Sequence, residues 1–215
     1  MDGLVIAVES CPGGGKGFLL KHLASNGLDG CDQGQVNVVL QDDSIEHVVD
    51  FVHDPKRWLL VTELHFLMQH VQTMRNCPTG PRTVTFVEGS PYTDFMCHFE
   101  THEKHPLEER LYRQWYEIMR PYWHVDAYVL LLSSPHEHLE RIIGNSKKEQ
   151  NHTTILSMYR QTERYKQVLG HAHVLVCYPN FEDNEPAMEI MKMQLADIVQ
   201  MLKNKSLHRV KPRDL

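Results

Sequence analysis

The stretch Leu4-Val-Ile-Ala-Val-Glu9-Ser-Cys-Pro-Gly-Gly-Gly-Lys16-Gly-Phe-Leu-Leu20 decides the fold of this chain. An apolar run leads into Pro and three consecutive Gly, and Lys16 comes just before a new apolar period. This pattern predicts a strand, a tight turn and the first turn of a helix. Such a turn directs several backbone N–H groups into one hollow in front of a helix N-terminus, which is complementary to phosphate. Lys16 can then reach the outer phosphates of a nucleotide.

The turn departs from the phosphate-loop pattern G-x-x-x-x-G-K-[S/T] at two positions. Ser10 stands where the pattern has its first Gly, and Gly17 stands where it has the Ser or Thr that binds magnesium. The run Pro-Gly-x-Gly-Lys-Gly resembles the loop of adenylate kinases, and the alternative is a glycine-rich surface turn that binds nothing. The residues predicted to contact the nucleotide here are Ser10, Cys11, Pro12, Gly13, Gly14, Gly15, Lys16, Gly17 and Phe18.

Composition limits the class of protein and its partners. The chain has 215 residues, of which 41% are hydrophobic, and this suits one α/β domain over 1–215. A net charge of −6 argues against nucleic acid as the main partner. Five scattered Cys without a C-x-x-C pair are typical of a reducing compartment, so we expect a cytoplasmic protein. We also expect no signal peptide and no membrane partner, because no apolar run is long enough to span a bilayer.

Apolar runs and amphipathic segments alternate along the chain. The runs are nearly continuous, as in parallel strands that are covered on both faces, so we expect a parallel sheet with right-handed crossovers. The predicted strands span 4–9, 36–41, 83–88, 127–133 and 173–178. The predicted helices span 16–25, 44–52, 55–75, 91–100, 107–122, 135–144, 154–169 and 185–204, with a basic tail at 203–215.

Acidic side chains follow two of the predicted strands. Asp42 and Asp43 come after the second strand, and Glu88 ends the third. In an open parallel sheet the ligand lies past these carboxyl ends. Beside a lysine-bearing phosphate loop, one carboxylate can position or deprotonate an attacking hydroxyl while another holds hydrated magnesium. The alternative for Asp42 or Asp43 is a cap on the helix that begins at Ser44.

The order of these motifs resembles the deoxynucleoside kinases, the group of deoxycytidine, deoxyguanosine and viral thymidine kinases. The run 54–58, Asp-Pro-Lys-Arg-Trp, is similar to the family's D-P-x-R-W, and Glu88-Gly89-Ser90 stands where the family has Glu-Arg-Ser or Asp-Arg-Ser. The run 126–143 is similar to the segment that leads into the family's lid, here about 144–152. The resemblance extends almost from end to end. It implies a P-loop kinase fold, a three-layer sandwich around a five-stranded parallel sheet.

The resemblance also implies the activity, which is transfer of the γ-phosphate of ATP to the 5′-hydroxyl of a deoxynucleoside, with Mg²⁺, in nucleotide salvage. Asp42, with Asp43 as an alternative, matches the carboxylate that takes the hydroxyl proton, and Glu88 matches the acid that holds magnesium through water. Lys16 completes the catalytic set. The implied substrate-binding residues are Trp58, Glu63, His70, Asp94 and Glu149. The implied ATP-binding residues outside the loop are Lys147, Lys148, Asn180 and Glu182.

Several positions depart from the family pattern. Gly89 replaces an Arg near the phosphates, His70 falls where an Arg helps to read the base, and lid lysines stand where the family prefers Arg. Because lysine is a point charge and not a bidentate fork, we expect a weaker clamp on the γ-phosphate. A nucleotide-binding pseudoenzyme without turnover is therefore a second hypothesis.

A third hypothesis is a nucleoside monophosphate kinase, which the Gly-Lys-Gly loop suggests. Such an enzyme needs cations around the acceptor phosphate, and the predicted acceptor side is mostly acidic, which favours an uncharged nucleoside.

A homodimer is implied by the resemblance alone. A stripe of large side chains on one predicted helix could form its interface, although such a stripe is more often plain core. Its members are Trp115, Tyr116, Met119 and Trp123.

Overall fold

The strands form a single parallel sheet with the phosphate-loop strand at its centre. The computed structural model describes residues 3–11, 13–31, 34–41, 53–80, 82–98, 105–134, 136–137, 140, 155–176 and 184–204. Within these ranges a five-stranded sheet has the order β2-β3-β1-β4-β5, and all neighbouring strands are parallel. The predicted parallel α/β sheet is therefore confirmed. The strands are β1 (Leu4–Glu9), β2 (Val36–Val39), β3 (Val84–Glu88), β4 (Ala127–Leu132) and β5 (His173–Val176).

The second strand is shorter than the sequence predicts. It ends at Val39 and not at Gln41. The backbone N–H of Gln41 donates to Glu88 Oε2 at 3.3 Å, so this amide is used by a side chain of the next strand and not by the ladder. The start of β3 and the end of β4 each differ by one residue from the prediction, and the part of the fifth predicted strand beyond Val176 lies outside the described residues.

Helices separate the strands, as the alternating pattern predicts. The helices are α1 (Lys16–Asn26), α2 (Pro55–Arg75), α3 (Pro91–Thr93), α4 (Pro106–Met119), α5 (Ile155–Val168) and α6 (Glu185–Asn204). Proline at the first helical position sets the start of α2, where the Asp54 side chain accepts a hydrogen bond from the Arg57 N–H at 3.3 Å. The predicted helix at 44–52 and most of the one at 135–144 fall outside the described residues.

The helix predicted at 91–100 has a different form. Only Pro91–Thr93 is α-helical, and Asp94–His98 continues as a π-helix. Arg164 on α5 donates from Nε to the carbonyl oxygen of Met96 at 2.9 Å, which gives one carbonyl of this turn a partner outside the helix. A π-helical turn is rare and occurs often at functional sites. Here it follows directly on the acidic end of β3.

Two apolar clusters cover the two faces of the sheet. Alternate residues of β1 divide between them, Leu4, Ile6 and Val8 in one and Val5 and Ala7 in the other. The first cluster joins the sheet to α1 and α6, and the second joins it to α2, α4 and α5. This arrangement is the predicted three-layer sandwich. Among the described residues, no helix combines the length and the apolar character needed to cross a bilayer.

The stripe predicted on the fourth helix is divided between core and surface. Tyr116 and Trp123 are buried in the second cluster, Met119 packs against it, and Trp115 is 39% exposed. The α-helix also ends earlier than the predicted residue 122. It ends at Met119, and Arg120–Tyr122 forms a 3-10 turn. The exposed apolar side chains of α4 are Leu107, Leu111, Trp115 and Ile118.

Candidate functional site

The loop after β1 leaves the N-terminus of α1 open. Gly15 precedes the helix with φ +85°, a left-handed conformation that glycine adopts without strain, and Leu19 N–H donates to its carbonyl at 3.0 Å. Gly15, the residue at the N-cap, has no side chain to cap the first turn of α1. The N–H groups of this turn and the positive end of the helix dipole are therefore presented to an anion. Lys16 is the first residue of this turn and is partly buried.

Ser10 fits beneath the loop and explains one departure from the phosphate-loop pattern. Its hydroxyl donates to the carbonyl of Cys11 at 2.9 Å, and the side chain is buried. A Cβ at Gly14 would lie 2.4 Å from Ser10 Oγ, so Gly14 is the residue that makes room for this serine. Ser10 thus stabilises the turn from inside.

Glu88 lies over the first turn of α1 and explains the second departure. A Cβ at Gly17 would lie 3.3 Å from Glu88 Oε1, so a larger residue would crowd the carboxylate. Because Glu88 Oε2 also accepts from Gln41 N–H, the carboxylate stands between the start of α1 and the end of β2. The sequence prediction placed Asp42, Glu88 and Lys16 around one cleft. Glu88 lies over Gly17, the residue that follows Lys16, and Asp42 lies outside the described residues, directly after Gln41. The convergence of the three side chains stays a prediction.

Glu9 is a buried acid that the sequence interpretation gave no role. It ends β1 and is 1% exposed, and Thr93 Oγ1 donates to its Oε1 at 2.8 Å. Burial raises the pKa of Glu9 to about 7, against the opposing charge of Lys16. The signal was available in the sequence, because Glu9 is an acid at a strand end, as Glu88 is.

His70 joins α2 to the end of β3 and to Asp94. Nδ1 of its ring is hydrogen-bonded to Asp94 Oδ2, and Nε2 lies 3.1 Å from the carbonyl oxygen of Glu88. When Asp94 is ionised, both partners are acceptors, so both ring nitrogens donate and the ring carries a positive charge. Burial opposes this charge, but the charge and hydrogen bond of Asp94, together with Glu9 and the Glu88 carbonyl, outweigh burial and raise the pKa of His70 above its usual value.

Two other predicted substrate-binding residues, Trp58 and Glu63, lie on α2 together with His70. Trp58 is partly buried with the Arg57 guanidinium 5.4 Å from its ring centroid, and Glu63 is 7% exposed. Glu63 and His70 are two helical turns apart, so they share one face of α2. The direct contacts of Trp58, Glu63, His70 and Asp94 with a nucleoside remain predictions.

Cys11 and Phe18 behave differently within the loop. Cys11 is 3% exposed, burial raises the pKa of its thiol, and its Sγ lies 3.5 Å from Thr162 Oγ1 on α5. It is therefore a packed spacer that links the loop to α5 and not an activated thiolate. Phe18 is 40% exposed. The remaining predicted site residues lie outside the described residues: Pro12, Asp43, Lys147, Lys148, Glu149, Asn180 and Glu182.

The comparison with known families agrees with the loop and the sheet. The family model described as deoxynucleoside kinase matches residues 6–207, which is most of the chain. None of the curated proteins compared with the chain matches it significantly. The matched region includes the phosphate loop, the acid over α1, β1 from residue 6 onward and the other four strands of the parallel sheet. On this match over nearly its whole length, the chain belongs to the deoxynucleoside kinase family.

Proposed function

We propose that this protein is an ATP-dependent deoxynucleoside kinase that transfers the γ-phosphate of ATP to the 5′-hydroxyl of a deoxynucleoside, in nucleotide salvage. The observation that carries the proposal is the approach of the Glu88 carboxylate to the first turn of α1, beside Lys16. An acid and a lysine at an open helix N-terminus are the groups that phosphoryl transfer needs. Family membership supports the same activity.

The donor side binds and neutralises phosphates. The N–H groups of the first turn of α1 and Lys16 hold the β and γ phosphates, so that negative charge developing during transfer meets groups already in place. In the proposal Lys147 and Lys148 contribute further positive charge, and Asn180 and Glu182 contact the adenine.

Magnesium fits the residues at this site. Mg²⁺ keeps several waters and binds through one or two carboxylates together with substrate phosphates. Glu88 supplies one carboxylate, and Gly17 leaves the space beside it open. Glu88 would hold the ion through water. When bound, Mg²⁺ supplies charge neutralisation on the β and γ phosphates.

The acceptor side is acidic and suits an uncharged nucleoside. Glu63 and Asp94 are carboxyl groups on the α2 and α3 side of the sheet ends, and the proposal adds Asp42 and Glu88, so a phosphorylated acceptor would be repelled there. A nucleoside monophosphate kinase is disfavoured for this reason.

Asp42, or Asp43, takes the proton from the 5′-hydroxyl in the proposal. Trp58, Glu63 and Asp94 line the nucleoside pocket with Glu149, His70 borders it, and an exocyclic amino group of the base would suit Glu63.

The experiment is ADP formation from MgATP with each of the four deoxynucleosides. We expect turnover with at least one, and Lys16→Ala should lower kcat/KM by about 100-fold or more. Lys21→Ala is the matched control, because Lys21 is an exposed lysine on the same helix. Turnover that survives in Lys16→Ala would refute the assignment of the loop. ATP binding by calorimetry without turnover would instead identify a pseudoenzyme.

We propose a homodimer in the cytoplasm as the state of the protein. The support for a dimer is the run of exposed Leu107, Leu111, Trp115 and Ile118 on α4, with Val61 and Met68 exposed on the neighbouring α2. The support for a reducing compartment is that Cys11, Cys31, Cys77 and Cys97 are free thiols. Light scattering on the wild type and on Trp115→Lys tests the dimer, and a monomeric wild type would refute it.

A further inference from the structure

The ring of His70 occupies the space next to Gly89. A Cβ built on Gly89 would lie 3.0 Å from His70 Nε2 and 3.2 Å from Cε1. Contacts this short are tighter than those that real Cβ atoms normally make, so the ring or the backbone would have to move. Gly89 also has φ +75°, where any L side chain is strained. Two independent features thus disfavour a side chain at this position.

The ring cannot move away easily, because it is held from both ends. It is 3% exposed, Asp94 holds Nδ1, and the carbonyl of Glu88 holds Nε2. The N–H of Gly89 is in turn bonded to the Val8 carbonyl at 3.0 Å, which fixes the same turn to β1. The backbone at Glu88–Gly89 is therefore clamped between α2 and β1.

We propose that His70 is a positioning residue that fixes the end of β3, and so aims the Glu88 side chain at α1, and that Gly89 is glycine because the His70 ring takes the space of its side chain. The naming of Glu88 as the magnesium acid rests on the proposed function. The steric fit between His70 and Gly89 does not rest on it.

This proposal gives a different reason for the glycine at position 89. The sequence interpretation treats Gly89 as a lost arginine, and on that basis Gly89→Arg should restore rate. If the His70 ring fills the site, Gly89→Arg alone displaces His70 and lowers both stability and turnover. A side chain at position 89 then requires a smaller residue at position 70.

The test is a thermal-stability cycle that separates backbone strain from steric contact. Gly89→Ala is compared with Gly30→Ala, because Gly30 has φ +74° and a Cβ there would meet nothing within 4 Å. Strain alone should lower Tm by about 4 °C at Gly30, and contact with His70 should make the loss at Gly89 about twice as large. If Gly89→Ala lowers Tm no more than Gly30→Ala does, the proposal is overturned. This comparison requires no substitution of His70.

The second arm repeats Gly89→Ala in His70→Asn, which keeps an amide donor near Asp94 and removes the far edge of the ring. In this background the loss in Tm should fall to that of Gly30→Ala. An unchanged loss would show that His70 is not the residue that excludes the side chain.

The positioning role is tested by the Mg²⁺ concentration at which ATP binding, measured by calorimetry, is half enhanced. We expect His70→Asn to raise this concentration by about threefold to tenfold, as when one charge-assisted contact is weakened. A variant that is only less stable would bind less ATP without moving this midpoint, and that result would overturn the positioning role. A wild type that binds no ATP while the stability cycle shows coupling would refute the proposed function and leave the steric fit in place.

Discussion

The two faces of the sheet bury different kinds of side chain. The cluster against α1 and α6 consists of aliphatic and methionine side chains together with Phe86. The cluster against α2, α4 and α5 is rich in aromatic rings, among them Phe95, Tyr112, Tyr116, Tyr128 and Tyr165. Buried polar groups such as Glu9, His70 and Thr93 lie near this second cluster. One face therefore packs behind the phosphate-loop helix α1, and the other carries the buried polar groups on the side where we propose that the acceptor binds.

The acids at the two adjacent strand ends follow the same division. Val8 pairs with Glu88, so Glu9 and Glu88 lie side by side at the sheet edge, and the alternation of side chains sends them to opposite faces. Glu88 reaches α1 and stays partly exposed, whereas Glu9 is buried against Thr93. Burial on its side of the sheet raises the pKa of Glu9.

The largest effect should come from the aliphatic face and should affect stability alone. Leu195→Ala on α6 removes a side chain that is 0% exposed, and we expect a loss of about 3 to 5 kcal/mol in the free energy of unfolding. Denaturant titration measures this loss, with Met193→Ala, at a position that is 56% exposed, as the control. ATP affinity of the folded protein should not change. A change in that affinity would contradict the separation of the two faces.

The next largest effect should come from Glu9 and should depend on pH. Its pKa is raised from 4.5 to about 7, so the native state holds the proton more tightly than the unfolded state. The Glu9 contribution to stability is therefore fully present below pH 4.5 and is lost as pH rises through 7, by about 3 kcal/mol. Glu9→Gln should flatten this part of the pH profile of unfolding. A profile that is equally steep in the variant would contradict the assignment.

Unlike Leu195 and Glu9, whose substitution should change stability, Glu88 should affect the rate strongly and the stability only slightly. We expect Glu88→Gln to lower kcat by about 100-fold, which is about 2.7 kcal/mol of transition-state stabilisation, and to change unfolding by less than about 1 kcal/mol. Steady-state kinetics and thermal unfolding measure the two quantities. Glu117→Gln, an acid with a 64% exposed side chain, is the control. A loss of stability that matches the loss of rate would make Glu88 a structural residue.

The smallest effect concerns the N-terminal cap of α3, which lies shortly after the end of β3. Ser90 Oγ accepts from Thr93 N–H at 3.3 Å and is buried, so Ser90→Ala should cost about 1 kcal/mol of stability. Ser25→Ala on α1 is the control, because its hydroxyl is exposed and only bonds back to the Lys21 carbonyl. Equal effects of the two substitutions would argue that the cap contributes nothing.

The sheet and the phosphate loop were predictable from the sequence because they depend on local patterns. Continuous apolar runs placed all five strands of the described sheet, and the Gly-rich turn placed the open end of α1. The meaning of Gly17 and Gly89 was not predictable, because each is small to admit a residue distant in sequence, Glu88 and His70 respectively. The buried state of Glu9 depends on Thr93, which is equally distant. Patterns within one segment carry no information on such contacts.

The central position of β1 has a consequence for how the chain is made. Its two neighbours, β3 and β4, come about 75 to 125 residues later in the sequence, so β1 leaves the ribosome long before either partner. Contacts of such long range form slowly. The predicted phosphate-binding turn is thus translated well before the strands that flank β1, and the nascent chain must keep one edge of this apolar strand unpaired until β4 has emerged.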